Sequence, residues 1–463
     1  MDKKKLNDFL KEIGLEKEDL ESNKDKIDNF VNEVNTKVNV NSYYIAKMLV
    51  EENNLIKLDN LIYRYNDRCY QCLTNTEIEN LIHQINKNLN EKQRKEILKK
   101  VYFEAPKKEK DLEFISVKNG LINIADDNIT LYEHTPKIVT TFYIDYKYNP
   151  NADYSDIVRY MLELVGGDDT QLKILLEFLG YCLYPDCFLR KALVIKGDHR
   201  NGKSKFLEVL KHFFGADNCC NLDIQNIVSR FDAFNIVNKS VNLGDDISNQ
   251  YIADDSKFKK IIAGNDILLE SKGKDAFTYK PYAKHIFSCN TMPRFDDKTG
   301  AIKDRLIFVI FPTVYSVENG NLKPNIVKEM TLNENMEALL ILALKSLKDI
   351  LKNNNFTYSH KSESCLNEFD KDNNPILYFI EEIQENSWLN EKAFNNMPVA
   401  EAYERYIKFC QSNGYKPLTK INFSKSMKAS IKNIDTKTIK NNGKSIKVFK
   451  ILEQEAKEYF LKK

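Results

Sequence analysis

The segment Gly197 to Phe206, GDHRNGKSKF, places Gly197, Gly202, Lys203 and Ser204 at the spacing G-x-x-x-x-G-K-[ST]. A loop of this kind aims successive backbone N–H groups at a β-phosphate beside a helix N-terminus. Lys203 would add a point charge to the β/γ-phosphates and Ser204 a hydroxyl to Mg²⁺, with Asn201 and Lys205 completing the cradle. The apolar run ALVIK ahead of the loop reads as a strand, and SKFLEVLKHFF behind it as a helix, the context this chemistry needs. A nucleoside triphosphate and Mg²⁺ are the expected ligands.

About forty residues on, SVNLGDDIS reads as a strand ending in Asp245–Asp246. Two carboxylates at the carboxyl end of a strand can divide the work of a Walker B site, one holding Mg²⁺ through water and the other orienting the attacking water. Which aspartate does which is open at this stage. KHIFSCN then reads as a buried strand whose last residue, Asn290, can set an amide against a γ-phosphate and a lytic water.

These groups need a scaffold. A chain of 463 residues with 42% hydrophobic content holds about three domains of ordinary size. From Lys191 to about Pro312 short apolar strands alternate with amphipathic helices, which predicts an α/β fold. Residues 1–145 read as an α+β domain: a polar helix at DLESNKDKIDNFVNEVN, a hairpin at NLIYRYNDRCYQCL, a helix at TEIENLIHQINKNL and strands around FISVKNGLINI. Asp126–Asp127 reads as turn chemistry, and no carboxylate–histidine set suggests a primase centre. Residues 146–190 read as a helical lead-in, 191–352 as the ATPase core, 353–372 as a polar linker and 373–463 as a basic C-terminal domain. No internal repeat is found.

Several classes are disfavoured. Net charge is +2, so any nucleic-acid surface must be local. The longest apolar segment, ALLILALKSL, is shorter than the roughly 18–20 residues of a membrane span. The N-terminus lacks a signal-peptide core. A soluble protein of the bacterial host cytoplasm is expected. The nine cysteines do not suggest a disulfide framework. The single C-x-x-C, Cys69 and Cys72, lacks a second pair to complete a zinc site, and the vicinal Cys219–Cys220 chelates poorly, so reduced thiols are expected.

The order P-loop, Asp-Asp strand, KKIIAGNDILLESKGKDAFTYKPYAKHIFSCNTMP and DRLIFVIFP resembles superfamily 3 helicases, in particular the helicase portion of phage, plasmid-type and poxvirus primase-helicases. The likeness runs upstream through NGLINI, LYEHTP and LLEFLGYCLYP, covering roughly residues 60 to 315. It implies an AAA+ core, ATP as the nucleotide and a hexameric ring that moves 3′ to 5′ along single-stranded DNA in its central channel. It also implies a channel hairpin, here with SKGKD at its tip, so that Lys272 and Lys274 would contact phosphates. Phe277 and Tyr279 read as core. Arg305 matches the finger that enters a neighbouring subunit's ATP site, although relatives often have Arg-Arg where this chain has Asp304–Arg305. Arg294 is a second candidate, and Lys191 sits where relatives place a lysine acting across the same interface. Longer relatives carry a primase domain, for which this sequence has no room ahead of the resemblance.

From Arg405 to Lys450, twelve lysines and arginines face one acid, Asp435, a net +11 in a chain of +2. The stretch reads as helix, turn, helix and β-wing, similar to the family's winged-helix tails, and predicts duplex DNA binding. The expected function is therefore a replicative DNA helicase of a phage or other mobile element, and an initiator role is a further one. The helicase subunit of a split primase-helicase, with a separate primase partner, and a DNA-binding regulatory AAA+ ATPase that does not unwind are the alternatives.

Overall fold

The computed structural model describes residues 42–126, 129–247, 252, 255–270, 276–295, 300–385, 394–415, 417–441 and 444–452. The expected helix at 20–35, Asp127, Lys272 and Lys274 lie outside them. The chain divides into two compact units, 1–143 and 144–463.

The first unit comprises α1 (Ser42–Glu52), β1 (Leu55–Leu58), β2 (Leu61–Tyr65), β3 (Tyr70–Leu73), α2 (Asn75–Ile85), α3 (Glu91–Glu104), β4 (Phe114–Val117), β5 (Gly120–Asn123) and β6 (Thr130–Tyr132). Local chemistry sets its boundaries. Asp59 and Asn60, both at positive φ, make the two-residue turn between β1 and β2, a conformation short polar side chains tolerate. Thr74 and Glu77 form a capping box at the start of α2, as do Asn90 and Gln93 at α3. Ala46, Leu49, Ile62, Ile78, Ile82, Ile97 and Val101 share one core. The expected hairpin at 60–73 and the helix after it are both present. Cys69 is buried, and burial pushes its thiol up to about 12, out of the range of a reactive thiolate.

After β7 (Tyr143–Ile144), the second unit begins with α4 (Ser155–Leu164) and α5 (Asp169–Leu183), then β8 (Ala192–Lys196) and α6 (Lys203–Phe214). Next come β9 (Cys219–Cys220), α7 (Ile224–Val228), β10 (Val241–Gly244), α8 (Ser256–Ile262), β11 (Ile267–Leu269), β12 (Phe277–Tyr279), β13 (Lys284–Cys289) and β14 (Leu306–Ile310). Five strands form one parallel sheet in the order β14-β8-β13-β10-β9. All six residues of β13 are buried, as a central parallel strand requires. β11 and β12 pair as the expected antiparallel hairpin. Tyr279 is buried and its hydroxyl accepts the Asn238 N–H at 2.9 Å, so it serves packing.

Following β14 are α9 (Ile326–Met330), α10 (Asn333–Asn353), α11 (His360–Asn373), α12 (Pro375–Glu385), α13 (Val399–Ser412), α14 (Lys420–Ser430), β15 (Ile434–Asn441) and β16 (Lys444–Ile451). No helix among the described residues is long and apolar enough to cross a membrane. α5 and α10 cross closely at Gly180, where a Cβ would stand 2.4 Å from the Ala343 carbonyl oxygen.

The segment 353–372 corrects the expectation of a linker. It is helical from His360 onward, and its polar residues are used internally. β14 is an edge strand whose outward N–H groups need acceptors. Phe308 N donates to Ser362 Oγ at 3.0 Å and Ile310 N to Gln171 Oε1 at 2.9 Å, while Gln171 Nε2 donates to Ser359 Oγ at 2.8 Å. Ahead of the helix, the fully buried Glu177 carboxylate accepts Thr357 N at 2.7 Å and Thr357 Oγ1 at 2.6 Å. A composition-based reading sees only polarity here, because the partners lie some 180 residues upstream.

Glu177 therefore anchors the strap that covers the sheet edge. We expect Glu177→Ala to lower the unfolding free energy by about 2–4 kcal/mol, because two hydrogen bonds to a charged group are lost and Thr357 is left unpaired. Denaturant unfolding measures this, and an unchanged midpoint would show that the strap is held elsewhere.

Candidate functional site

Three neighbouring strands end at the same edge of the parallel sheet. β13 and β8 run with Cys289 opposite Lys196, and β10 runs with Gly244 opposite Phe287. Gly197 N donates to Cys289 O at 3.2 Å, so the P-loop leaves β8 against the end of β13. Gly197 must be glycine here, because a Cβ would lie 2.6 Å from the Phe311 carbonyl oxygen. Gly202 lies in the left-handed region at φ +83°, and α6 begins at the next residue. The N–H groups of this helix start face the cleft as an anion site would require.

Lys203 is the hub. Its ammonium donates to Gly197 O at 2.7 Å, Asp198 O at 2.6 Å and Asn290 Oδ1 at 2.9 Å. Burial lowers its pKa from the ordinary lysine value, opposed by the Cys289 thiol and by the carboxylates of Asp246, Asp198 and Asp245. All three partners are neutral oxygens, which a charged phosphate oxygen can displace.

Asp245 and Asp246 follow β10 and are held by Ser288 of β13. Ser288 Oγ donates to Asp245 Oδ1 at 2.5 Å and accepts Asp246 N at 3.0 Å. Asp246 itself lies at φ +48°. Asn290 extends β13 by one residue and lies near His199, its Nδ2 3.4 Å from Nε2. Asn201 is buried and braces the loop by donating from Nδ2 to Phe311 O at 2.8 Å.

The result is a cleft of about 280 Å³ that brings together Asn201, Gly202, Lys203, Ser204, Lys205, Asp245, Asp246 and Asn290. Gly197 lies at its base, offering its carbonyl to Lys203. Lys205 is a rim residue whose ammonium pairs with Glu208 at 3.0 Å. Ser204 with Asp245 and Asp246 could hold Mg²⁺. Among the described residues no group of three or more His, Cys, Asp or Glu side chains converges on a metal position. Mg²⁺ bound through one or two carboxylates and substrate phosphates needs no such group.

Arg305 is not in this cleft. It precedes β14, whose first residue, Leu306, pairs with Ala192 at the start of β8. It therefore sits at the opposite edge of the sheet, on the order of 15 Å along the strands from its own P-loop. Its guanidinium donates to Ala301 O at 2.6 Å and Lys259 O at 3.3 Å. Lys191 lies at the same edge, Nζ to Leu306 O at 3.5 Å, with a pKa lowered by burial. Arg294 stacks over Tyr415 at 4.5 Å and is occupied within the chain.

Sequence reasoning missed Ser288 and His199. Ser288 had a signal, since a polar residue next to the end of an otherwise apolar strand is unusual. Its partner 43 positions away had none.

Three family models match separate stretches: D5 N terminal like over residues 10–166, a family of unknown function (DUF5906) over 195–305, and Poxvirus D5 protein-like over 371–461. Both ends of the chain resemble D5 proteins. Among solved structures, the A-form apo structure of the NrS-1 C-terminal region matches at 15% identity and a TM-score of 0.52, covering 89% of this chain and 99% of that one. A further apo structure of the NrS-1 C-terminal region gives the same figures. At this identity the likeness is one of fold. With the two D5 matches, it supports a D5-like primase-helicase kinship.

Gly197→Ala tests the cleft's geometry. The added methyl has backbone oxygen in its way, so we expect a stability loss of about 1–3 kcal/mol. Thermal unfolding with and without inorganic tripolyphosphate should also show a smaller anion-induced rise in Tm than in the wild type. An equal rise would mean that the strand end yields without disturbing the loop.

Proposed function

We propose that this protein is an ATP-driven replicative DNA helicase of a phage or other mobile genetic element, working as a ring with shared active sites. One observation carries the reading: Lys203, Asp245, Asp246 and Asn290, from three adjacent strands, line one cleft with the P-loop. Bound Mg²⁺ would neutralise charge on the β- and γ-phosphates, with Ser204 and the Asp pair as its protein ligands. Lys203 exchanges its loop carbonyls for phosphate oxygens and carries Asn290 with it through their hydrogen bond. Ser288 holds the Asp pair in position to orient a water for in-line attack. The parallel sheet around the P-loop strand supports an AAA+ core, and the D5 matches support the DNA-replication context.

Arg305 supports the ring. It is too far from its own cleft to meet a γ-phosphate, and a guanidinium at the opposite edge of the sheet suits the site of a neighbouring subunit. The C-terminal segment supports duplex contact. α12, a bridge at Pro398–Val448, α13, α14 and the β15–β16 hairpin follow the order of a winged helix around a shared core of Phe379, Phe394, Tyr406, Phe423 and Phe449. On α14, Lys420, Lys425 and Lys428 are exposed. The hairpin lysines Lys272 and Lys274 remain the proposed single-strand contacts.

Two outcomes are expected in assays of the purified chain. Lys203→Ala should lose ATP hydrolysis and forked-duplex unwinding by at least about a hundredfold while keeping its thermal midpoint. A wild-type protein that hydrolyses ATP without displacing a strand would instead favour a regulatory ATPase. Arg305→Ala should bind ATP but not hydrolyse it. Mixing it with Lys203→Ala should restore part of the activity, since some interfaces then combine an intact cleft with an intact arginine. No recovery in rings verified by particle imaging would rule out a finger acting in trans.

A further inference from the structure

Behind the P-loop lies a second cavity of about 520 Å³, which shares Arg200, Gly202 and Lys205 with the cleft above. Gly202 is part of the partition: a Cβ there would stand 3.0 Å from Leu164 Cδ2 and 3.3 Å from Tyr315 Cε2. Tyr315 N donates to Arg200 O at 2.9 Å, tying the far wall to the loop.

The two cavities differ in chemistry. The phosphate-facing cleft is lined by polar and charged side chains. In the second, Leu164 and Tyr160 are buried, while Val317 and Leu322 stand at the rim 79% and 51% exposed, apolar side chains with nothing over them. Glu163 and Lys323 also line the cavity as an ion pair, Lys323 Nζ to Glu163 Oε2 at 2.5 Å. The Tyr315 hydroxyl hydrogen-bonds Glu163 as well, and burial pushes that phenol's pKa up. A carboxylate has about four lone-pair positions, so Glu163 retains acceptor capacity.

A ligand with its phosphates on Lys203 and another part in this cavity must pass the edge of the P-loop. It must then present a flat, largely apolar group with hydrogen-bonding edges. A nucleobase on its ribose has that form. We infer that this cavity is the nucleobase subsite and that Glu163 and Lys323 read the base, favouring adenine over guanine. Adenine's exocyclic amino group donates to the Glu163 carboxylate while a ring nitrogen accepts from Lys323. Guanine turns its O6 acceptor to the carboxylate, lone pair against lone pair. This inference rests on the nucleotide reading proposed above.

The test titrates the full chain with ATP, GTP and inorganic tripolyphosphate. ATP should bind at least about tenfold more tightly than either GTP or tripolyphosphate. Glu163→Gln, whose amide can turn a donor or an acceptor to the base, should bring ATP and GTP to within about threefold of each other without changing tripolyphosphate binding. Leu322→Glu, at an exposed position that leaves the core untouched, should weaken ATP and GTP alike and spare tripolyphosphate. ATP binding no tighter than tripolyphosphate, or an unchanged ATP-to-GTP ratio in Glu163→Gln, would overturn the inference. Lys203→Ala separates the two levels. If that variant loses tripolyphosphate binding, the phosphate site stands whatever the base does. If it keeps it, the nucleotide reading falls, and the subsite with it.

Discussion

The Lys203 ammonium is the interaction on which the rest of the site depends. It closes the P-loop on itself through Gly197 O and Asp198 O and reaches the neighbouring strand end through Asn290. An ammonium that is partly withdrawn from water must keep its partners close, because an unmet charge at such a depth is costly. The same requirement makes the group ready for phosphate. Its contacts are local carbonyls and one amide oxygen, all weaker partners than a polyphosphate.

That hub is useful only because the strands end in register. β13 lies between the P-loop strand and the Asp-Asp strand, so it contacts both. From its last residues Ser288 holds Asp245 and Asp246, while Asn290, one step further, holds Lys203. A one-residue slip of β13 would turn Ser288 to the other face of the sheet and separate the two halves of the site. The sheet in turn depends on its edge. Gln171 and Ser362 satisfy the outward N–H groups of β14, which keeps Phe311 and Tyr315 where they support the P-loop from behind.

The C-terminal segment is joined to this core close to the chemistry. Arg294, four residues after Asn290, stacks on Tyr415, and Phe295 N donates to Asn373 Oδ1 at the end of α11. Movement of the basic module on DNA would therefore act on the segment leading from the Asn290 strand. This is a short mechanical path between a duplex-binding surface and the cleft. It runs through packed side chains and a helix end.

Much of this was legible in the sequence for a physical reason. The P-loop spacing, the Asp-Asp strand end, the Asn-terminated strand, the 60–73 hairpin and the C-terminal helices with their hairpin are local patterns. Backbone conformation, side-chain period and turn chemistry express themselves within ten or twenty residues. What the sequence could not show depends on partners far along the chain. Polar residues at 353–372 look like a linker until Glu177, Gln171 and the free edge of β14 are beside them. Ser288 looks like a small polar residue in a strand until Asp245 stands opposite. Arg305 is a lone arginine until the parallel register puts it a full strand length from its own P-loop. Only the tertiary structure decided these roles, because strand order and register are set by burial of whole faces and not by any residue's immediate neighbours.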